Sequence, residues 1–248
     1  MADDVTSTGD TDRICLDLFA GLGGFSAAFQ DADGWEVVTV DLEDRFDPDI
    51  QANVLEVTPA DLPDADVILA GHPCDVFSKA AAWQNHWDEN GNPQTEKSRR
   101  HLTMLYHTLG LIKAIAPEYW FLENPEGHMR RFLGEPTGSV TYCQYGEKYR
   151  KPTDLWGKHP PGMAYRRCSN GDDCHLSKGS REEAGCGNHP AQALPRDPAE
   201  RAKVPRELSE SILKAVEGRA EQQTLFAAAG GGNDRSLHTD TEQSEGSE

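Results

Sequence analysis

The 248-residue chain contains no run approaching the roughly 20 consecutive apolar residues that a membrane-spanning helix requires. Its opening, MADDVTSTGDTDR, lacks the basic and hydrophobic regions of a signal peptide. These absences set the expectation of a cytoplasmic protein with no membrane partner. Basic charge is scarce as well: 24 Lys and Arg stand against 42 Asp and Glu, a formal net charge of −18. Nucleic-acid binders are expected to carry the opposite balance. Residues 1–12 hold four acids and no Lys or Arg, and residues 223–248 hold five acids and only Arg235; the body between them is still acidic. Cysteine is limited to Cys15, Cys74, Cys143, Cys168, Cys174 and Cys186. In an unexported chain this long they read as thiols or metal ligands, not as a disulfide framework.

What positive charge there is falls in short clusters: Lys97-Ser98-Arg99-Arg100, Arg130-Arg131, Lys148 with Arg150-Lys151, and Arg166-Arg167. An acidic shell with such loops binds phosphate if the fold brings them together. The shell itself fits a halophilic, high-salt cytoplasm, and it equally serves solubility. With 37% hydrophobic residues the chain is able to bury a core, and its length favours one domain with an appendage.

Short apolar runs alternate with helix-compatible segments. Residues 14–19 read as a first strand, followed at once by the turn Ala20-Gly21-Leu22-Gly23-Gly24 and a helix over 25–32. Glycines there let the backbone approach a ligand, and a helix N-terminus offers oriented N–H donors. Residues 36–40 form a second strand ending in Asp41, about 20 residues after the glycine turn, where an acid accepts hydrogen bonds from ribose hydroxyls. A short third strand is expected over 53–57 and a fourth over 67–71, which runs into Gly71-His72-Pro73-Cys74-Asp75-Val76-Phe77-Ser78. Residues 79–97 make a long polar loop, of the kind that is either functional or mobile. In it Trp83 and Trp87, four apart, have the spacing to pack on each other in a short helix. An amphipathic helix follows over 98–116, carrying Leu102, Leu105, Leu109 and Ile112 on one face. Residues 119–122 form a fifth strand ending in Glu123-Asn124-Pro125, 140–145 a sixth, and 153–156 a seventh.

This order predicts an α/β, doubly wound, mostly parallel sheet. The expected organisation is a disordered acidic arm over 1–12 and a catalytic α/β domain over 13–156. A Gly-, Pro-, Arg- and Cys/His-rich segment over 157–199 has too little apolar content for a core of its own. A closing helix over 200–220 and a disordered acidic tail over 221–248 complete the chain.

Five stretches, in order, resemble the motifs of the DNA (cytosine-5) methyltransferases. Asp17 to Ser26 is similar to the family's S-adenosyl-L-methionine loop, and Gly71 to Ser78 resembles its Pro-Cys-Gln-x-Phe-Ser nucleophile motif. Glu123-Asn124-Pro125 resembles its Glu-Asn-Val, Tyr145-Gly146 with Tyr149, Arg150 and Lys151 its Gln-x-Arg-x-Arg region, and Arg201 to Leu208 its closing motif. Asp75 stands where the family has Gln, Pro125 where it has Val, and the Gln-x-Arg-x-Arg region is degenerate. The 157–199 segment, which corresponds to the target-recognition region, is short, as in compact virus- or phage-encoded members.

The resemblance implies a Rossmann-like, S-adenosyl-L-methionine-dependent enzyme of the DNA-methylation and restriction-modification kind, acting as a monomer on double-stranded DNA. In that reading Cys74 is the nucleophile toward C6 of a flipped-out cytosine, Glu123 serves N3, and Arg150 binds the O2 edge or a phosphate. Asp17, Phe19, Gly21, Gly23, Gly24, Asp41, Asn53 and Pro73 hold the cofactor. Two readings compete: the same thiol chemistry on RNA, and a catalytically silent cofactor-binding protein, which would predict a damaged nucleophile or acid. Cys168, Cys174, Cys186 and His189, with His175 in reserve, are zinc-ligand residue types, but Cys-x5-Cys is wider than the usual zinc spacing. The sequence therefore assigns no metal.

Overall fold

The apolar runs pair as one seven-stranded sheet, whose strands in spatial order are Ile50–Gln51, Trp35–Asp41, Arg13–Leu18, Val67–Gly71, Tyr119–Pro125, Pro152–Lys158 and Gly138–Thr141. The computed structural model describes residues 13–79, 84–169, 172–175, 195 and 197–230, with side chains up to residue 218. The strands are β1 (Arg13–Leu18), β2 (Trp35–Asp41), β3 (Ile50–Gln51), β4 (Val67–Gly71), β5 (Tyr119–Pro125), β6 (Gly138–Thr141) and β7 (Pro152–Lys158). β1 to β5 are parallel neighbours, and β7 runs antiparallel to both β5 and β6. The fold is thus the doubly wound, mostly parallel α/β sheet that the alternation predicts. Its strand order reverses between β1 and β4, where such sheets open a crevice for ligands.

Both faces of the sheet are covered, which is why its central strands read as continuous apolar runs. Cys15, Val67, Leu69 and Phe121 point to one face, where they meet Phe25, Phe29, Leu208 and Ile212. Leu16, Leu18, Ile68, Ala70 and Leu122 alternate to the other and meet Leu105 and Ile112. The helices responsible are α1 (Ala27–Gln30) and α5 (Arg206–Gly230) on the first face and α2 (Glu96–Ile115) on the second. Two shorter helices, α3 (Arg130–Leu133) and α4 (Pro198–Ala202), lie in the connections. Among the described residues no helix is long and apolar enough to cross a membrane.

Four local expectations differ from what is found. The third strand is Ile50–Gln51, and residues 54–56 instead make a 3₁₀ turn. Asn53 caps that turn, its side chain accepting from the Leu55 N–H, so the backbone finds a local partner in place of a ladder. The first helix is only Ala27–Gln30, because the preceding residues are taken up by the glycine turn. The sixth strand ends at Thr141 and continues as a 3₁₀ turn over Tyr142–Tyr145, closed by Gly146 in the left-handed region (φ 92°). Residues three apart eclipse in a 3₁₀ turn, so Tyr142 and Tyr145 both face inward, which a pleated strand would not permit. α5 runs to Gly230, past residue 220; the Ala227-Ala228-Ala229 stretch is a good helix former. The 1–12 arm, the tail beyond 230, and Trp83, Cys186 and His189 lie outside the described residues. Trp87 packs against Phe77 and Phe132.

The closing helix α5 is joined to the start of α1 by a buried hydroxyl. Ser209 donates to the Phe25 carbonyl (2.6 Å) and accepts from the Ala28 N–H (3.0 Å), which links α5 to the turn that starts α1. Ser209→Ala leaves both backbone groups buried and unsatisfied. Urea unfolding is expected to show a loss of about 1–3 kcal/mol for this variant, with the slope unchanged.

Candidate active site

The glycine turn after β1 is built by strain and by two carboxylates. Phe19, a bulky residue, is held in the left-handed region (φ 63°), a conformation that persists only where its surroundings enforce it. Its N–H and that of Ala20 both reach the Val40 carbonyl, at 2.9 and 3.2 Å. Gly21 (φ 51°) and Gly23 (φ 67°) continue the turn in the same region. Asp41 at the end of β2 accepts from the Gly21 N–H (2.9 Å) through one oxygen and from the Glu43 N–H (2.9 Å) through the other. A carboxylate has about four lone-pair sites, so Asp41 braces the turn and still has acceptor capacity for a ligand hydroxyl. An open cleft of about 560 Å³ runs beside the turn, between residues 20–23 and 45–49, and Gly21 and Gly23 line it.

Three of the expected cofactor residues are engaged by contacts within the protein itself. Asp17 is fully buried beneath the turn and accepts from the Ser26 hydroxyl at 2.7 Å. Burial raises its pKa to about 7, against the pull of the Ser26 hydrogen bonds. A Cβ on Gly24 would lie 2.4 Å from the Val204 carbonyl, so this glycine is required where the segment before α5 packs. Asn53 is engaged in its cap, with Nδ2 directed to Glu56 (3.2 Å).

On the other side of the switch point, β4 and β5 deliver the candidate cysteine and carboxylate. Their register places Gly71 opposite Glu123, so the Cys74 loop and the carboxylate leave adjacent strand ends. Asn124 fixes that relation: its side-chain amide, fully buried, donates to the His72 carbonyl at 2.8 Å. His72 is buried too, its Nδ1 3.0 Å from the Pro73 carbonyl, and burial lowers its pKa to about 3, so the ring is neutral. The Cys74 carbonyl accepts from the N–H groups of Phe77 and Ser78, closing a tight turn. A Cβ on Gly127 would sit 2.2 Å from the Phe77 carbonyl, so glycine lets the chain after β5 press against this turn.

Glu123 is buried and accepts from the Tyr142 hydroxyl at 2.9 Å, with the Lys151 ammonium 3.8 Å away. Burial pushes its pKa up, while Lys151 and Tyr142 pull it down. Burial likewise pushes the Cys74 thiol up; Lys151 favours the thiolate, and Glu123 and Asp75 oppose it. Asp75, the departure from the family motif, turns to the basic cluster at the start of α2, 2.6 Å from Lys97.

Lys151 therefore acts on both Glu123 and Cys74. Its ammonium also stands over the Tyr142 ring (4.3 Å to the centroid) and 3.3 Å from the Arg201 carbonyl. Arg150 points instead to the carbonyl of Cys168 (3.3 Å). Of the other basic clusters, Arg130 makes a two-pronged pair with buried Asp154 (2.6 and 2.7 Å), and Arg131 donates to the Asp88 carbonyl. Asn124, Gly127, Tyr142 and Lys151 are the residues that sequence reasoning left without a role. Only the motif neighbourhoods of Asn124 and Lys151 signalled two of them.

A mostly parallel sheet with a glycine turn after β1, an acid closing β2 and a functional loop after β4 is the Rossmann-like fold of the S-adenosyl-L-methionine-dependent methyltransferases. Within that class, residues 14–132 match the family model of C-5 cytosine-specific DNA methylases. A probable DNA (cytosine-5)-methyltransferase of Frog virus 3 is 33% identical over 174 residues, covering 64% of this chain and 76% of the viral protein. The type II methyltransferases M.HpaII of Haemophilus parainfluenzae and M.HhaI of Haemophilus parahaemolyticus are 30% and 26% identical over 122 and 134 residues. Those matches cover 45% and 50% of this chain, but only 31% and 36% of the bacterial proteins. The chain belongs to the C-5 cytosine-specific DNA methylase family.

Two measurements check the electrostatics. A carboxyl whose folded pKa lies above its ordinary value binds more protons folded than unfolded, so stability falls as pH rises from about 4 to about 7. Asp17→Asn is expected to flatten this decline in denaturant titrations of the ligand-free chain. Lys151→Met removes the cation favouring the thiolate, so Cys74 alkylation, followed by peptide mass mapping, is expected to move to higher pH. An unmoved profile would place Lys151 outside the thiol's field.

Proposed function

We propose that this chain transfers a methyl group from S-adenosyl-L-methionine to C5 of a flipped-out cytosine in double-stranded DNA, through a covalent bond between Cys74 and C6. The observation that supports it most is the pairing of Gly71 with Glu123, locked by Asn124, which holds a cysteine loop and a buried acid at adjacent strand ends. The residues of the glycine turn fit the cofactor: two glycines in the left-handed region border an open cleft, and Asp41 keeps spare acceptor sites beside them. Phe19, Gly21, Gly23, Asp41 and Pro73 would hold it, while Asp17 and Gly24 position the turn.

C5 of cytosine is a poor nucleophile, and addition of a thiolate at C6 changes that. The Cys74 sulfur bonds to C6, the ring's π electrons become available at C5, and N3 takes up a proton held by Glu123. Burial keeps that proton on the carboxyl nearer to neutral pH, which suits an acid that acts and then recovers. When bound, S-adenosyl-L-methionine would supply an electrophilic methyl group to C5, its sulfonium leaving as the neutral thioether. Loss of the C5 proton to a base returns the electron pair, the Cys74–C6 bond breaks, and Glu123 regains its proton. Neither ring carbon is reachable inside a duplex, so the base leaves the stack. The segment around Trp87, bracketed by its bridge to Pro93, stands next to the Cys74 turn through the Trp87 N–H to the Val76 carbonyl (2.7 Å). It is positioned to meet the extruded base.

Transfer of labelled methyl from S-adenosyl-L-methionine is expected with duplex DNA and not with tRNA. Cys74→Ala is expected to abolish transfer and to retain cofactor binding by calorimetry. Full activity in Cys74→Ala would overturn the covalent route, and transfer to tRNA alone would overturn the substrate.

A further inference from the structure

The segment after β7 has few apolar side chains to anchor it, yet it lies along the sheet edge formed by β6 and the Tyr142–Tyr145 turn. Backbone bonds hold part of it: the Thr141 N–H donates to the Arg166 carbonyl (3.1 Å), and the Tyr145 hydroxyl donates to the Ala164 carbonyl (3.0 Å). Farther along, Cys168 donates its N–H to the Thr141 hydroxyl (2.9 Å). At that point Cys143, Cys168, Cys174 and His175 turn toward one another, with all four ligand atoms within 4.8 Å of each other.

Four of the six spacings scatter around the edge lengths of a tetrahedral site. With Zn–S near 2.3 Å and Zn–N near 2.0 Å, the edges of a tetrahedral Cys₃His site are about 3.8 Å between sulfurs and about 3.5 Å from sulfur to nitrogen. Cys143 and Cys168 Sγ are 3.2 Å apart, and Cys174 and Cys143 Sγ are 3.7 Å apart. His175 Nδ1 lies 3.8 Å from Cys168 Sγ and 3.4 Å from Cys174 Sγ. Cys143 and His175 are buried, while Cys168 and Cys174 are partly buried. Among the described residues this is the one cluster with such a ligand set.

We infer that Cys143, Cys168, Cys174 and His175 form a structural zinc site that staples the segment after β7 to the edge of the catalytic sheet. Three thiols each release a proton on binding, leaving three thiolates, a neutral imidazole and a dication with a net charge of −1. All four positions are filled by protein, as in structural and unlike catalytic zinc sites. The ligand set also explains the wide Cys168-x5-Cys174 spacing: the tight partner of Cys168 is Cys143, 25 residues upstream on the sheet edge. Arg150 donates to the Cys168 carbonyl, so the same staple fixes Arg150 and, through the chain, the neighbouring Lys151. A small region without a core gains its order in this way.

The test uses the full chain purified under reducing, anaerobic conditions, and its readouts are independent of methyl transfer. Elemental analysis is expected to find about one zinc per chain. Cobalt substitution is expected to give thiolate-to-cobalt charge-transfer absorption and the intense visible bands of a tetrahedral ion. Cys143→Ser, Cys168→Ser and Cys174→Ser should each lose the metal or weaken the cobalt bands, and Cys186→Ser and His189→Ala should keep both. Absence of stoichiometric zinc in the unaltered chain, even after zinc is added, overturns the site without recourse to any variant. So does Cys143→Ser with metal content and cobalt bands both unchanged, loss of metal in Cys186→Ser, or a native Cys143–Cys168 disulfide found by mass spectrometry.

Discussion

The site depends on one buried hydrogen bond between neighbouring strand ends, from the Asn124 side chain to the His72 carbonyl. Parallel strands in register set Gly71 beside Glu123, but register alone leaves the following loop free to swing. A fully buried amide donor has no water to turn to, so breaking this bond costs its desolvation as well as the bond. The carbonyl it holds precedes Pro73, whose ring restricts the next step of the chain, and Cys74 follows at once. Position of the thiol relative to the acid is therefore inherited from the sheet through two residues.

Charge at the site is balanced by a third party. Burial raises both Cys74 and Glu123 toward their neutral forms, and Glu123 further disfavours the thiolate. Lys151 opposes both effects because β7 begins beside the end of β5 that carries Glu123. Asp75, next to Cys74, adds to the penalty and would add more if it faced inward. Its pairing with Lys97 sends that carboxylate outward to α2. The overall acidity of the chain coexists with this arrangement because the field at a buried thiol is set by the nearest few groups.

The glycine turn follows a different logic, in which the chain itself supplies the rigidity. Asp41 braces Gly21, Asp17 braces Ser26, and Gly24 admits the segment that leads into α5. The turn is thus held by the strands beneath it and by a helix near the other end of the chain. Ser209, buried between α5 and α1, carries that coupling across 184 residues of sequence.

Much of this was legible in the residues themselves. Apolar runs of strand length, each ending in glycine, an acid or a cysteine, are enough to place Gly21, Asp41, Cys74 and Glu123 at strand ends, because a buried parallel strand must be apolar and its loop need not be. Short-range chemistry was harder to read: Asn53 looks like strand sequence until its own side chain caps a turn, and Tyr142 to Tyr145 alternate like a strand until both rings are needed inside. Which cation faces the thiol, Arg150 or Lys151, is undecidable from adjacent positions, since one residue of shift along an extended chain reverses the side. Cys143, Cys168, Cys174 and His175 become a set only when β6 and β7 bring residues 25 and more apart to one edge, and no local spacing rule encodes that meeting. Sequence alone determined the sheet, its functional ends and the residue types of the chemistry. Tertiary structure alone decided which side chains meet there, because long-range pairing and burial set the partners of each polar group.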